Sequence, residues 1–150
     1  MKNIWNPEDT RKTLERIDTL RPESKPVWGT MSVGQMLAHC NVSYEMVYGD
    51  NHAKPNPILR FILKVLVKGA VVNEKPYKHN SRTGPQFVIK ETKDFASEKN
   101  RLVAYVLKTQ QLGEAHFHGK ESLSFGPLQG KEWNNMFYKH LDHHLSQFGA

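Results

Sequence analysis

The chain of 150 residues has a single cysteine, Cys40. One thiol cannot close an intrachain disulfide, so a small oxidised scaffold is excluded and the reducing cytoplasm is the expected compartment. No uninterrupted apolar run is long enough for a membrane span, which needs about 20 residues. The most apolar stretch, residues 58–72, is broken by Arg60, Lys64 and Lys68. The opening residues, Met1 to Thr10, lack the apolar segment of a secretory signal. Arginine-rich runs and basic–aromatic interleaving are also missing, so the formal charge of +6 reads as a solvated basic surface, with no nucleic acid expected. Strand-type alternation is scarce, and no internal repeat or composition shift marks a second domain. One domain over residues 1–150 is expected.

What the sequence does have is helix punctuation. A first helix opens at Asn6, with Pro7 in first position and Glu8-Asp9 in the first turn. Leu14, Ile17 and Leu20 form its apolar face, and Pro22 ends it. A second follows Ser32, whose spacing to Gln35 makes a capping box, with Met31 and Met36 placed as a hydrophobic staple. Met36, Cys40, Ser43 and Val47 line one side of it, His39 lies on their shoulder, and Gly49 is the expected stop. A third helix is predicted from Pro55 and Pro57 to about Gly69, its basic residues on one outward edge. Residues 73–86 read as a polar loop. A fourth helix is placed over Asp94–Gln111 with Phe95, Leu102, Tyr105 and Val106 inward, followed by a connector over Gly113–Gly130. The last helix covers Trp133–Phe148. Four main helices with long connections predict an all-α helical bundle.

The last helix carries the chemistry. At about 100° per residue, Trp133, Met136, Phe137, Leu141, Leu145 and Phe148 form one apolar stripe. His140 and His144 fall inside that stripe, while Asn134, Lys139 and Asp142 point elsewhere. An unpartnered polar ring facing a core costs roughly 1–3 kcal/mol. Residues at i and i+4 are neighbours on a helix surface, so one metal ion can satisfy both rings. His39 is the natural third ligand, and three imidazoles from two helices leave a position open for water or substrate. The competing reading gives each ring its own partner, a backbone carbonyl or a tyrosine. His143, at the edge of the stripe, suits a supporting role. His116 and His118 read as residues of an exposed connector, and His52 and His79 as loop residues. Cys40 reads as a small buried apolar residue rather than a nucleophile, because neighbours on a helix diverge by about 100°. Glu45 and Asp142 are expected to face outward and Glu114 lies in a connector, so no general acid or base stands out.

Two blocks carry a family resemblance. Trp28-Gly29-Thr30-Met31-Ser32-Val33-Gly34-Gln35-Met36-Leu37-Ala38-His39 resembles the second-helix motif of the DinB/YfiT-like superfamily. The closing stretch, from Phe125-Gly126-Pro127-Leu128 through Lys139-His140-Leu141-Asp142-His143-His144 to Gly149, resembles one of its uncharacterised branches. The resemblance implies an up-down-down-up four-helix bundle with long connecting loops. It also implies a divalent metal, nickel or zinc, on His39, His140 and His144. Many members have Arg-Gly-Gln after the last ligand; here Leu145 and Ser146 replace the first two and Gln147 remains. Gln147, His143 and Cys40 are therefore the residues expected beside the ligands or in a pocket. Better-known members include thiol-dependent S-transferases and a mycothiol-dependent isomerase. The expectation is a metal-dependent enzyme acting on a small molecule by thiol transfer or hydrolysis, with a low-molecular-weight thiol as co-substrate. The rival expectation is a non-catalytic metal-binding or stress-response module. Lys75, Lys78 and Arg82 could receive the carboxylates of an anionic thiol. No partner beyond the substrate and a second copy of the chain, as a homodimer, is expected.

Overall fold

The computed structural model describes residues 1–150, and its regular structure is helical apart from one short hairpin. Helix α1 spans Pro7–Thr19, and the Asn6 side chain accepts from the Glu8 and Asp9 amides at 2.9 and 3.1 Å. Leu20 turns to extended backbone and ends the helix two residues ahead of Pro22. Helix α2 spans Val33–Tyr48 and shows the full capping box: Ser32 Oγ accepts from the Gln35 amide at 3.2 Å, and Gln35 Oε1 from the Ser32 amide at 3.0 Å. It is buried on nearly every side of its first three turns and stops at Gly49.

Helix α3 is an α–π–α run made of Pro57–Ile62, Leu63–Val67 and Lys68–Val72. It therefore passes the expected end at Gly69. Partners outside the helix explain this: the Lys139 ammonium donates to the carbonyls of Ala70 and Asn73 at 2.8 and 2.7 Å, and Asn135 Nδ2 donates to Val72 O at 2.9 Å. These donors satisfy carbonyls that a helix end leaves orphaned. The expected basic outward edge holds for Lys64, which is exposed, and is corrected for its two neighbours. Arg60 pairs with Glu121 and Lys68 with Glu132 and both are half-buried, while Ile58, Phe61, Val65 and Leu66 also face solvent. No helix is long and apolar enough to cross a membrane.

Helix α4 spans Phe95–Phe117, capped by Asp94 on the Ser97 amide at 2.8 Å. It continues beyond the expected Gln111, across a kink at Gly113 (φ 72°, ψ 169°). Burial of Phe117 accounts for the extra turn: its ring lies against Trp5 at 5.0 Å and edge-on to Phe137 at 5.6 Å. A hairpin, Glu121–Ser122 against Gly126–Pro127, leads into helix α5 at Gly130–Gln147. The apolar stripe of α5 is buried as predicted, except that Met136 is only partly covered. Asn134 and Lys139, expected to point elsewhere, are buried too: Asn134 holds the N-terminal segment through the Ile4 amide at 2.7 Å, and Lys139 caps α3.

Helix α2 packs most extensively on α4, and α5 touches α1, α2, α3 and α4. Ile17, Met36, Leu37, Leu102, Val106, Phe137 and Leu141 meet in the core between them. None of residues 45–97 is buried. That whole stretch lies outside the core, and part of it walls a cavity.

Candidate metal centre

Helices α2 and α5 bring His39, His140 and His144 together, with one nitrogen of each ring within 4.8 Å of the others. Ring centroids are 4.9 Å apart for His39–His140, 4.4 Å for His39–His144 and 4.8 Å for His140–His144. The capping box fixes where α2 starts and therefore how His39 is presented two turns later. His140 and His144 share a face of α5 because four residues make slightly more than one turn.

The outer nitrogen of each ring is held. His39 Nδ1 lies 2.8 Å from the Phe87 carbonyl, and a carbonyl can only accept. This places the proton on Nδ1 and leaves the Nε2 lone pair facing inward. His144 Nδ1 lies 2.8 Å from Gln147 Oε1, while Gln147 Nε2 donates to the Trp28 carbonyl at 2.8 Å. The amide orientation is thus set by Trp28, and His144 also carries its proton outward. His140 Nδ1 meets Ser43 Oγ at 2.9 Å, a hydroxyl that can donate or accept. Outer partners of this kind orient imidazoles that bind metals and fix their tautomers.

The inner nitrogens form a donor set that suits a cation. His39 Nε2 and His140 Nε2 are 2.9 Å apart. Two lone pairs at that distance repel unless a proton or a metal ion lies between them. With a proton, His140 donates to His39 and Ser43 donates to His140; to hold a metal, His140 would keep its proton on Nδ1, where Ser43 Oγ could accept it. Burial also favours the coordinating form, which is neutral imidazole. It lowers the pKa of His39, drives that of His140 well down with the help of His144 and His39, and pushes His144 to about 3. Three imidazoles with no thiolate or carboxylate match zinc or nickel donor chemistry.

The imidazoles sit in the wall of a cavity of ≈ 700 Å³. Gln147 and His143 line it as well. His143 lies edge-on to Trp28 at 5.8 Å and to Tyr77 at 5.7 Å. Cys40 is not part of this cavity. It faces the core with Sγ 3.7 Å from Met36 Sδ, and burial raises its thiol pKa, so its proposed place beside the site is corrected to a packing role. Glu45 is engaged by Arg101 and His52, Asp142 by Arg16, and Glu114 packs near Gly130; none lines the cavity. His116 and His118 are exposed at the end of α4. Sequence reasoning missed two residues. His79 stacks on Trp28 at 3.8 Å, and Phe87 supplies both its carbonyl and its ring, 5.3 Å from His39. Both lie in the loop after α3, where no periodic signal exists to point inward.

The chain belongs to the family described as a protein of unknown function, DUF1569, whose model matches residues 6–150. No curated protein and no solved structure matches it.

Proposed function

We propose that this chain is a single-domain metalloenzyme of the DinB/YfiT-like type, acting on a small molecule in the cytoplasm. In this reading α1, α2, α4 and α5 are its up-down-down-up four-helix bundle. His39, His140 and His144 hold a divalent ion, zinc or nickel. The observation that carries the proposal is the convergence of three inward nitrogens, each ring anchored from behind, in the wall of a ≈ 700 Å³ cavity. A bound divalent ion would supply Lewis acidity, lowering the pKa of a coordinated water or thiol near neutrality.

The chain's own residues do the rest. Phe87 O, Ser43 and Gln147 hold the rings in place, and the helix packing around them excludes water from their rear. No Asp or Glu lines the cavity, so no carboxylate is at hand to serve as general base. That favours hydrolysis or thiol transfer, in which the nucleophile is activated by coordination. The size of the cavity favours an enzyme over a structural ion in a closed site, since drug-sized ligands occupy about 300–1,000 Å³.

Elemental analysis of protein purified without a tag tests this directly. About one equivalent of zinc or nickel is expected in the wild type and none in His144→Ala, with helical circular dichroism retained in both. Equal metal content in the two proteins, or none in either, would refute the site.

A further inference from the structure

We propose that the cavity binds an apolar molecule ending in one anionic group, with the anion held at the mouth by Lys78 and Arg82. The inference rests on the proposed metal site only for the end of the ligand that reaches the imidazoles. Three features of the cavity support it.

The first is the charge of the lining. It contains Lys78 and Arg82 but no Asp or Glu. Neither cation has a carboxylate partner, whereas Arg60 and Lys68 on the adjacent helix α3 are each paired with a glutamate. A cationic surface confined to one wall, with nothing to neutralise it, attracts anions.

The second is the apolar wall. Leu63, Val67 and Val71 recur every four residues on α3 and line the cavity together with Met46, Phe87 and Ile89. A fully ionic or sugar-like ligand would leave these groups unmatched. Desolvating them against an apolar body contributes about 25 cal/mol per Å².

The third is the order along the cavity. Lys78 and Arg82 are exposed, while His39 and His144 are buried. The cations therefore mark the solvent end and the imidazoles the inner end. Between the two cations the chain doubles back, with Asn80 in the left-handed region (φ 55°) and Ser81 Oγ donating to Lys78 O at 2.8 Å. A ligand thus enters with its apolar body first and leaves its anionic group at the rim. The ligand class that fits is an aliphatic or aromatic monocarboxylate or phosphomonoester, with its reacting group remote from the anion.

Fluorescence titration with 11-(dansylamino)undecanoic acid and its methyl ester tests the assignment on the full chain. The acid is expected to bind about tenfold more tightly than the ester at low salt, as two solvent-facing ion pairs allow. The Lys78→Met/Arg82→Met double variant should lose that preference while its affinity for the ester stays unchanged, which also reports an intact cavity. In His144→Ala the preference should persist, because the anion sits away from the imidazoles. Equal binding of acid and ester by the wild type would overturn the inference. So would a preference that survives the double variant, or one abolished in His144→Ala, which would put the carboxylate on the metal. Metal content is read separately, so loss of the metal site and loss of the anion site are distinguishable.

Discussion

Gln147 ties the site to the Trp28-Gly29 turn through both ends of one amide, accepting from His144 and donating to Trp28. Outer partners of metal-binding histidines are worth about 10–100-fold in affinity. Gln147→Ala should weaken zinc binding by about that factor, measured by competition with a chromogenic chelator, while leaving all three ligands present. An unchanged affinity would mean that the amide does not orient the ring. Gly29→Ala should act in the same direction from the other side. Gly29 has φ +82°, and a Cβ there would stand 2.6 Å from Gln147 Nε2. The histidines also set a pH dependence. Burial lowers His144 from 6.5 to about 3, so the unfolded chain binds more protons than the folded one between those values. Stability from this group is fully present above about pH 6.5 and is lost as the pH falls toward 3. Chelator-treated wild type should therefore show a thermal midpoint that declines on acidification from pH 7 to 4, more steeply than that of His144→Gln. The His140/His144 pair was legible because a helix repeats and its stripe exposes the anomaly. The carbonyl of Phe87 was not, because it reaches His39 across 48 residues of chain with no pattern between.

At the level of elements, starts were easier to read than stops. A helix N-terminus is written in local chemistry: Asn6 and Ser32 cap with their own side chains as the sequence predicts, and Asp94, read as the first residue of its helix, is the cap one position before it. The ends of α3 and α4 depend on distant partners. Phe117 draws α4 past Gly113 into an aromatic cluster, and Lys139 on α5 completes the C-terminus of α3. Lys139→Met removes the only charged donor at those carbonyls. It should lower stability by about 1.5–3 kcal/mol, read as a lower urea midpoint with an unchanged slope. A midpoint equal to that of the wild type would show that water caps the helix as well as the lysine does. The start of α5 at Gly130, three residues ahead of the apolar stripe, was hidden because its first turn is marked by the Glu132 carboxylate accepting from the Gln129 amide, with no Ser, Thr, Asp or Asn at the cap.

Across the whole molecule, buried residues belong to two stretches, one before residue 45 and the other after residue 97. Local opening is easiest where little apolar surface is buried. Amide hydrogen exchange should therefore be faster in α3 and the following loop than in α2, α4 and α5, by orders of magnitude in the inner turns of the latter. Uniform protection across the chain would contradict this division. The overall helical class followed from capping and periodicity, but this division did not. Residues 58–72 are the most apolar run in the sequence, and apolarity alone would place them in the core. They are kept at its edge because α2, α4 and α5 already fill one another's faces.

The same division separates what can vary from what must stay. The imidazoles stand on helices locked into the interior, whereas α3 and the following loop, which line one wall of the cavity, touch that interior only from outside, through side chains such as Leu63, Val71 and Val72. The one bond from the outer stretch to a ligand ring comes from the main chain of Phe87, an atom that any amino acid supplies. Substitutions at the cavity-lining positions between residues 63 and 89 would thus reshape the space in front of the imidazoles without moving the helices that carry them.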